Sequence, residues 1–159
     1  MERINECEKV LGYWFKRKSL LKEALNHSSF AYENNLISNE RMEFLGDSIL
    51  GLIVSVILYK KYPKAAEGDL TEKRSSLVSR KHLASVAKKL CLGKFLFLGK
   101  GEEAQGGRQL ASNLGNSLEA IIGAIYLDGG LLPTRKFIKK LFFPSPKFPS
   151  LQGRGWKGG

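Results

Sequence analysis

Three carboxylates, Glu40, Glu43 and Asp47, stand in NERMEFLGDSIL (39–50), at the head of a segment that soon becomes almost wholly apolar. At ~100° per residue around a helix they share one face, and Met42, Leu45, Ile49, Leu52, Ile53 and Val56 fall on the opposite side. Acids on a helix face are usually solvated, and near the N-terminal end they also suit the helix dipole. Two features point to more. The following run, ILGLIVSVIL, is apolar nearly all round, which predicts a helix inside the domain. Gly46 and Gly51 lie in the interior of that helix, each costing ~1 kcal/mol of helix propensity, and such glycines mark close approach by another element. A second helical segment, NLGNSLEAIIGAIYL, supplies a candidate neighbour, with Ser112, Asn116, Glu119 and Gly123 on one face. If the two pack there, Glu43, Asp47 and Glu119 converge with the Asn116 amide oxygen. Carboxylates sharing a partly buried site must be protonated or neutralised by a cation. Hard oxygen donors suit Mg²⁺ or Mn²⁺, and His27 and His82 are too sparse to suggest zinc.

The elements that would position these residues are helices. Residues 5–15 and 19–30 read as two helices, followed by a polar loop, YENNLISN. Ser38 or Asn39 is expected to cap the long acid-bearing helix, which runs to Tyr62 and stops at Pro63. Asp69 with Glu72 resembles a capping box opening a further helix, and Ser79 a cap for RKHLASVAKKL. GKGEEAQGGRQ reads as an exposed glycine-rich loop. Ser112 or Asn113 is expected to cap the last strong helix, which Gly129 and Gly130 close, and TRKFIKKLFF forms a shorter one. No stretch alternates with period two, so the fold class is all-α.

The 159-residue chain suits one domain and a tail: 1–143 folded, 144–159 a basic, Pro- and Gly-rich tail expected to be disordered. Cys7 and Cys91 are far apart and read as free thiols in a reducing compartment. No secretory leader is legible in MERINECEK, and ILGLIVSVIL is about half the ~20 residues of a bilayer span. The expectation is a cytoplasmic protein with no membrane association. The net charge of +11 invites a nucleic-acid partner. Much of it lies after Asp128, beyond which there is no acid, and the body is only mildly basic.

With these residues in place, the chain resembles the ribonuclease III endonuclease domain over residues 8–138. NERMEFLGDSIL resembles that family's signature, and EKVLGYWF and LLKEALNHSSF its first helices. EGDLTEKRSSLV (67–78) is similar to its second acidic motif, LGKGEEAQGGR (98–108) to its glycine-rich loop and SLEAIIGAIYLDGG (117–130) to its C-terminal catalytic helix. The resemblance implies a homodimer that cleaves double-stranded RNA with Mg²⁺, or Mn²⁺ as a substitute, and no small-molecule cofactor. The implied products carry 5′-phosphates, 3′-hydroxyls and short 3′ overhangs, in rRNA and mRNA processing. Matched by position, Glu43 falls on a metal ligand, Asp47 on a catalytic carboxylate and Glu119 on a catalytic metal ligand. Glu40 and Glu67 fall on supporting acids.

Two departures follow from the same match. Asn116 stands where the family has a metal-ligating Asp; it keeps an oxygen donor but loses a charge, which predicts weaker Mg²⁺ binding and slower cleavage. The double-stranded-RNA-binding domain usual after this domain is not legible in the sequence, so its binding would rest on phosphate contacts. The alternative is a non-catalytic double-stranded-RNA-binding or scaffolding homologue. A DNA-binding module fits the charge but explains none of the acids. Of the remaining features, Arg74 and Arg80 are expected to balance the acidic cleft rather than contact RNA, and Phe44 to make a dimer contact. Tyr13, Trp14 and Phe15 are expected in the core. The glycine-rich loop, with Lys100 and Arg108, is a weak candidate phosphate cradle.

Overall fold

The computed structural model describes residues 1–144. The elements in chain order are α1 (Glu2–Leu11), α2 (Lys18–Ala24), α3 (Ser28–Asn34), α4 (Glu40–Lys61), α5 (Glu67–Leu77), α6 (Arg80–Lys89), α7 (Lys100–Ala104), α8 (Ala111–Gly129) and α9 (Leu131–Phe142). Short 3₁₀ turns lie at Leu92–Phe95 and Gly107–Gln109. No strand forms among the described residues, and one isolated parallel bridge pairs Asn26 with Phe97. The all-α expectation holds; the expected tail lies, from residue 145 on, outside the described residues.

α8 is the central helix. Leu114, Leu118, Ile121, Ile122 and Ile125 are all fully buried, which requires neighbours on every side. α4, α6, α2 and α9 supply them. α4 packs chiefly on α8, and Met42, Ile49, Leu50, Ile53 and Val54 are its buried apolar residues. By length and composition α4 could cross a membrane, although its most apolar run alone is too short. Its packing on α8 accounts for the buried part of that apolar surface.

The crossing of α4 and α8 rests on two glycines. A Cβ on Gly46 would overlap the backbone carbonyl of Glu119, and one on Gly123 would run into the carbonyl of Met42. Gly46 therefore marks the close approach expected of it. Gly51 does not, since a Cβ there would meet open space.

Several expectations are corrected. The helix over 19–30 is two helices, broken where Asn26 bridges to Phe97 and His27 caps α3 by accepting from the Ser29 amide. The loop expected after it begins late, because α3 runs to Asn34 and ends at Asn35 in the left-handed region. Asn39 is the N-cap residue of α4 as expected, but its side chain makes no capping bond: Asn39 Nδ2 donates to the Ala24 carbonyl (3.2 Å), while Ser38 Oγ donates to Glu40 Oε2 (2.7 Å) and accepts from the Glu40 amide (3.5 Å). α5 starts at Glu67, ahead of the supposed Asp69 box. Ser112 and Asn113 lie inside α8, and Asn113 Nδ2 donates to Glu102 Oε1 (2.7 Å) and the Gly107 carbonyl (3.0 Å). The Ser79 cap does form, accepting from the His82 amide at 3.2 Å.

α4 is not buried all round. Leu52 and Val56, expected in the core, are 57% and 37% exposed, and with Phe44 (78%) and Tyr59 (73%) they form an open stripe. α8 covers one arc of α4 and leaves this one uncovered. Phe15 is buried and Tyr13 packs edge-on against it, but Trp14 is exposed, contrary to the expected three-ring core cluster.

Candidate active site

Beside the glycine crossing, the acid faces of α4 and α8 open onto one cleft of about 560 Å³. Glu40, Glu43 and Asp47 line it from α4, and Asn116 and Glu119 from α8. Arg80, at the start of α6, and His27, ahead of α3, complete its polar wall. The Gly46–Glu119 backbone contact explains why these side chains meet: with no Cβ between them, the helices approach closely enough for adjacent turns to share a space.

The electrostatics are those of crowded anions. Burial, then the charges of Asp47 and Glu43 and a hydrogen bond with Asp47, push the Glu119 carboxyl up to about 7. Burial, then the charges of Glu40 and Asp47, raise Glu43 as well. The Arg80 guanidinium opposes both shifts, the balancing role expected of it. Arg74 does not join it; its Nη1 donates to Ser55 Oγ (3.2 Å).

The donor set fits a hard divalent cation. Glu43, Asp47 and Glu119 offer carboxylate oxygens, Asn116 an amide oxygen, and raised carboxyls are groups whose charged forms a cation would stabilise. Among the described residues no group of three or more His, Cys, Asp or Glu side chains is placed to hold a metal ion by itself.

Glu67 lies elsewhere, in the groove between α4 and α5, where its Oε1 accepts from the Thr71 hydroxyl (2.7 Å). The glycine-rich stretch is no open cradle. Arg108 Nη1 donates to the Gly93 and Leu96 carbonyls (2.8 and 2.9 Å), and its Nε and Nη2 donate to Glu103 (2.6 and 2.5 Å). Arg108 thus secures the segment ahead of α8 instead of facing a ligand. His27 was not singled out in the sequence, where it entered only as too sparse, with His82, to suggest zinc. No local signal for it was legible, because 19–30 read as one continuous helix through His27.

Comparisons with known proteins place the chain in a family. A family model described as Ribonuclease-III-like matches residues 17–145. Ribonuclease 3 of Nitratiruptor sp. is 48% identical over 141 residues, 89% of this chain and 61% of that protein. Ribonuclease 3 of Campylobacter concisus is 43% identical over 155 residues, 96% of this chain and 68% of that protein. The chain spans about three fifths of the length of the first curated relatives it matches. Among solved structures, the nuclease domain of ribonuclease III from Campylobacter jejuni superposes with a TM-score of 0.83 at 42% identity, covering 89% of this chain and 99% of that one. That work describes structural flexibility in a region involved in dimer formation. Dicer from Pichia stipitis matches with a TM-score of 0.61 at 28% identity over 82% of this chain and 56% of that one. In sequence and in fold, this chain belongs to the ribonuclease-III-like family.

Proposed function

We propose that this chain is a ribonuclease III-type endoribonuclease that hydrolyses double-stranded RNA to 5′-phosphate and 3′-hydroxyl ends, in the processing of rRNA and mRNA in the cytoplasm. The observation that carries the reading is the convergence of Glu43, Asp47, Asn116 and Glu119 in one cleft at the Gly46–Gly123 crossing. Three carboxylates and an amide oxygen facing an anionic ligand are a poor binding surface and a good cation site.

Glu43, Glu119 and the Asn116 amide oxygen would hold Mg²⁺, with Mn²⁺ as a substitute, and Asp47 completes the catalytic carboxylates. When bound, the cation supplies positive charge to the scissile phosphate and lowers the pKa of a water molecule. Asp47 lies beside Glu119 and can accept a proton from an attacking water. Glu40 holds the outer edge of the cleft through Ser38. Arg80 offsets the acid charge and offers donors to phosphate oxygens. Glu67 acts from a separate groove, as a supporting acid only indirectly linked to the others. Asn116 attenuates the reaction, because an amide contributes dipole where a carboxylate would contribute charge.

The open stripe of Phe44, Leu52, Val56 and Tyr59 is the proposed homodimer face. Exposed apolar side chains at successive turns of one helix need a partner, and a second copy supplies the same stripe. Asn116 also favours a second reading, a binding-only homologue. The two separate on one assay: incubating a long RNA duplex, a DNA duplex of the same sequence and single-stranded RNA with Mg²⁺. The expected result is cleavage of the RNA duplex alone, lost in Glu119→Gln. Binding of duplex RNA without cleavage supports the second reading instead.

A further inference from the structure

We infer that His27 is a substrate contact, presenting its Nε2–H into the cleft as a hydrogen-bond donor to the phosphodiester; the inference rests on the proposed RNA-cleaving function. Its side chain lines the same cleft as Glu43, Asp47 and Glu119. The ring is held from the opposite edge. Nδ1 lies 2.7 Å from the Ser29 hydroxyl and 3.2 Å from the Ser29 amide nitrogen. Ser29 Oγ also accepts the Gly99 amide at 2.9 Å.

These bonds assign the tautomer. The Ser29 amide can only donate, so Nδ1 is its acceptor. The Gly99 amide occupies a lone pair of Ser29 Oγ and leaves the hydroxyl proton free to point at Nδ1. A proton on Nδ1 would face the Ser29 N–H directly. The ring proton therefore sits on Nε2, and no hydrogen bond to Nε2 forms among the described residues.

The position is held by tertiary structure as well as by the cap. The His27 amide donates to the Phe97 carbonyl (3.1 Å), and the Phe97 amide donates back to the Leu25 carbonyl (2.9 Å). Gly99 lies so close to α3 that a Cβ there would press on Glu33 and the Ser29 backbone. Residues 97–99 thus fix both the backbone and the ring of His27. A cleft built mainly of acceptors needs donors where an anionic backbone enters, and a preorganised N–H loses little on engaging it.

Two substitutions separate the donor from the cap. His27→Asn keeps a side-chain acceptor suited to capping α3 but lacks the outer donor, whereas His27→Gln carries an amide N–H near the Nε2 position. With melting temperatures used to confirm folding, the measurements are duplex-RNA affinity and the kcat and KM for cleavage. The expected result is a loss of about 10- to 100-fold in kcat/KM for His27→Asn, with several-fold weaker binding, and substantial recovery in His27→Gln. Wild-type affinity and kinetics in a folded His27→Asn, or equal losses in both variants, would overturn the assignment. Should the wild type bind duplex RNA without cutting it, the functional reading fails, and the affinities of the two variants still decide the role of His27.

Discussion

Gly46 of α4 lies against the backbone carbonyl of Glu119 on α8, and there is no room between them for a methyl group. This contact couples core to chemistry, because the same helical turns carry Glu43, Asp47 and Glu119 into the cleft.

Gly46→Ala is therefore expected to destabilise the fold by about 2–4 kcal/mol, since the new Cβ must push two packed helices apart. Gly51→Ala, on the same helix but facing open space, is expected to stabilise it by about 0.5–1 kcal/mol through helix propensity. Urea denaturation of the two variants checks the contrast; equal effects would mean the crossing is not tight.

Crowding in the cleft predicts a pH dependence. With the Glu119 carboxyl raised from about 4.5 to about 7, the metal-free folded protein holds a proton there that the unfolded chain has released. Stability then falls as pH rises through that window. Glu119→Gln removes the effect. Without metal it should melt about 2–4 °C above the wild type at pH 8, the response to ~1 kcal/mol after allowing for solvent around the half-buried group. The two should melt together near pH 4. Added Mg²⁺ should stabilise the wild type more than the variant, and at pH 8 more than at pH 5.5, because ligation requires the carboxylate. Thermal melts at these conditions read all three effects.

The open stripe on α4 predicts the oligomeric state. The wild type should sediment at twice its 17.7 kDa mass, and Phe44→Asp with Leu52→Glu should bring it to the monomer without lowering helix content. A monomeric wild type would leave the stripe without the proposed partner.

Helical periodicity made much of this site legible. The spacing of Glu40, Glu43 and Asp47, the matching face of Asn116 and Glu119, and the cost of a glycine at 46 all pointed to one crossing. Periodicity gives faces, however, and not which neighbour covers each. Leu52 and Val56 carry the same apolar signal as Ile49 and Ile53, yet only the latter pair is buried. The break at Asn26–His27 depends on pairing with Phe97, far along the chain, so local propensity read through it as helix. His27 was missed for the same reason: its ring is oriented by Ser29 and Gly99, and only the fold brings residue 99 to residue 29. Arg108 carried a charge that suggested phosphate, but the carbonyls of Gly93 and Leu96 claim it.

The most direct test is cleavage of a long perfect RNA duplex by the wild type and by Asn116→Asp, side by side, with Mg²⁺ and with Mn²⁺. Restoring a carboxylate at 116 adds a full charge to the donor set, and affinity at such sites follows ligand charge. The account predicts that both proteins cut the duplex and that Asn116→Asp cuts faster, by about tenfold at low Mg²⁺. Absence of cleavage by either protein, with the duplex still bound, would contradict it.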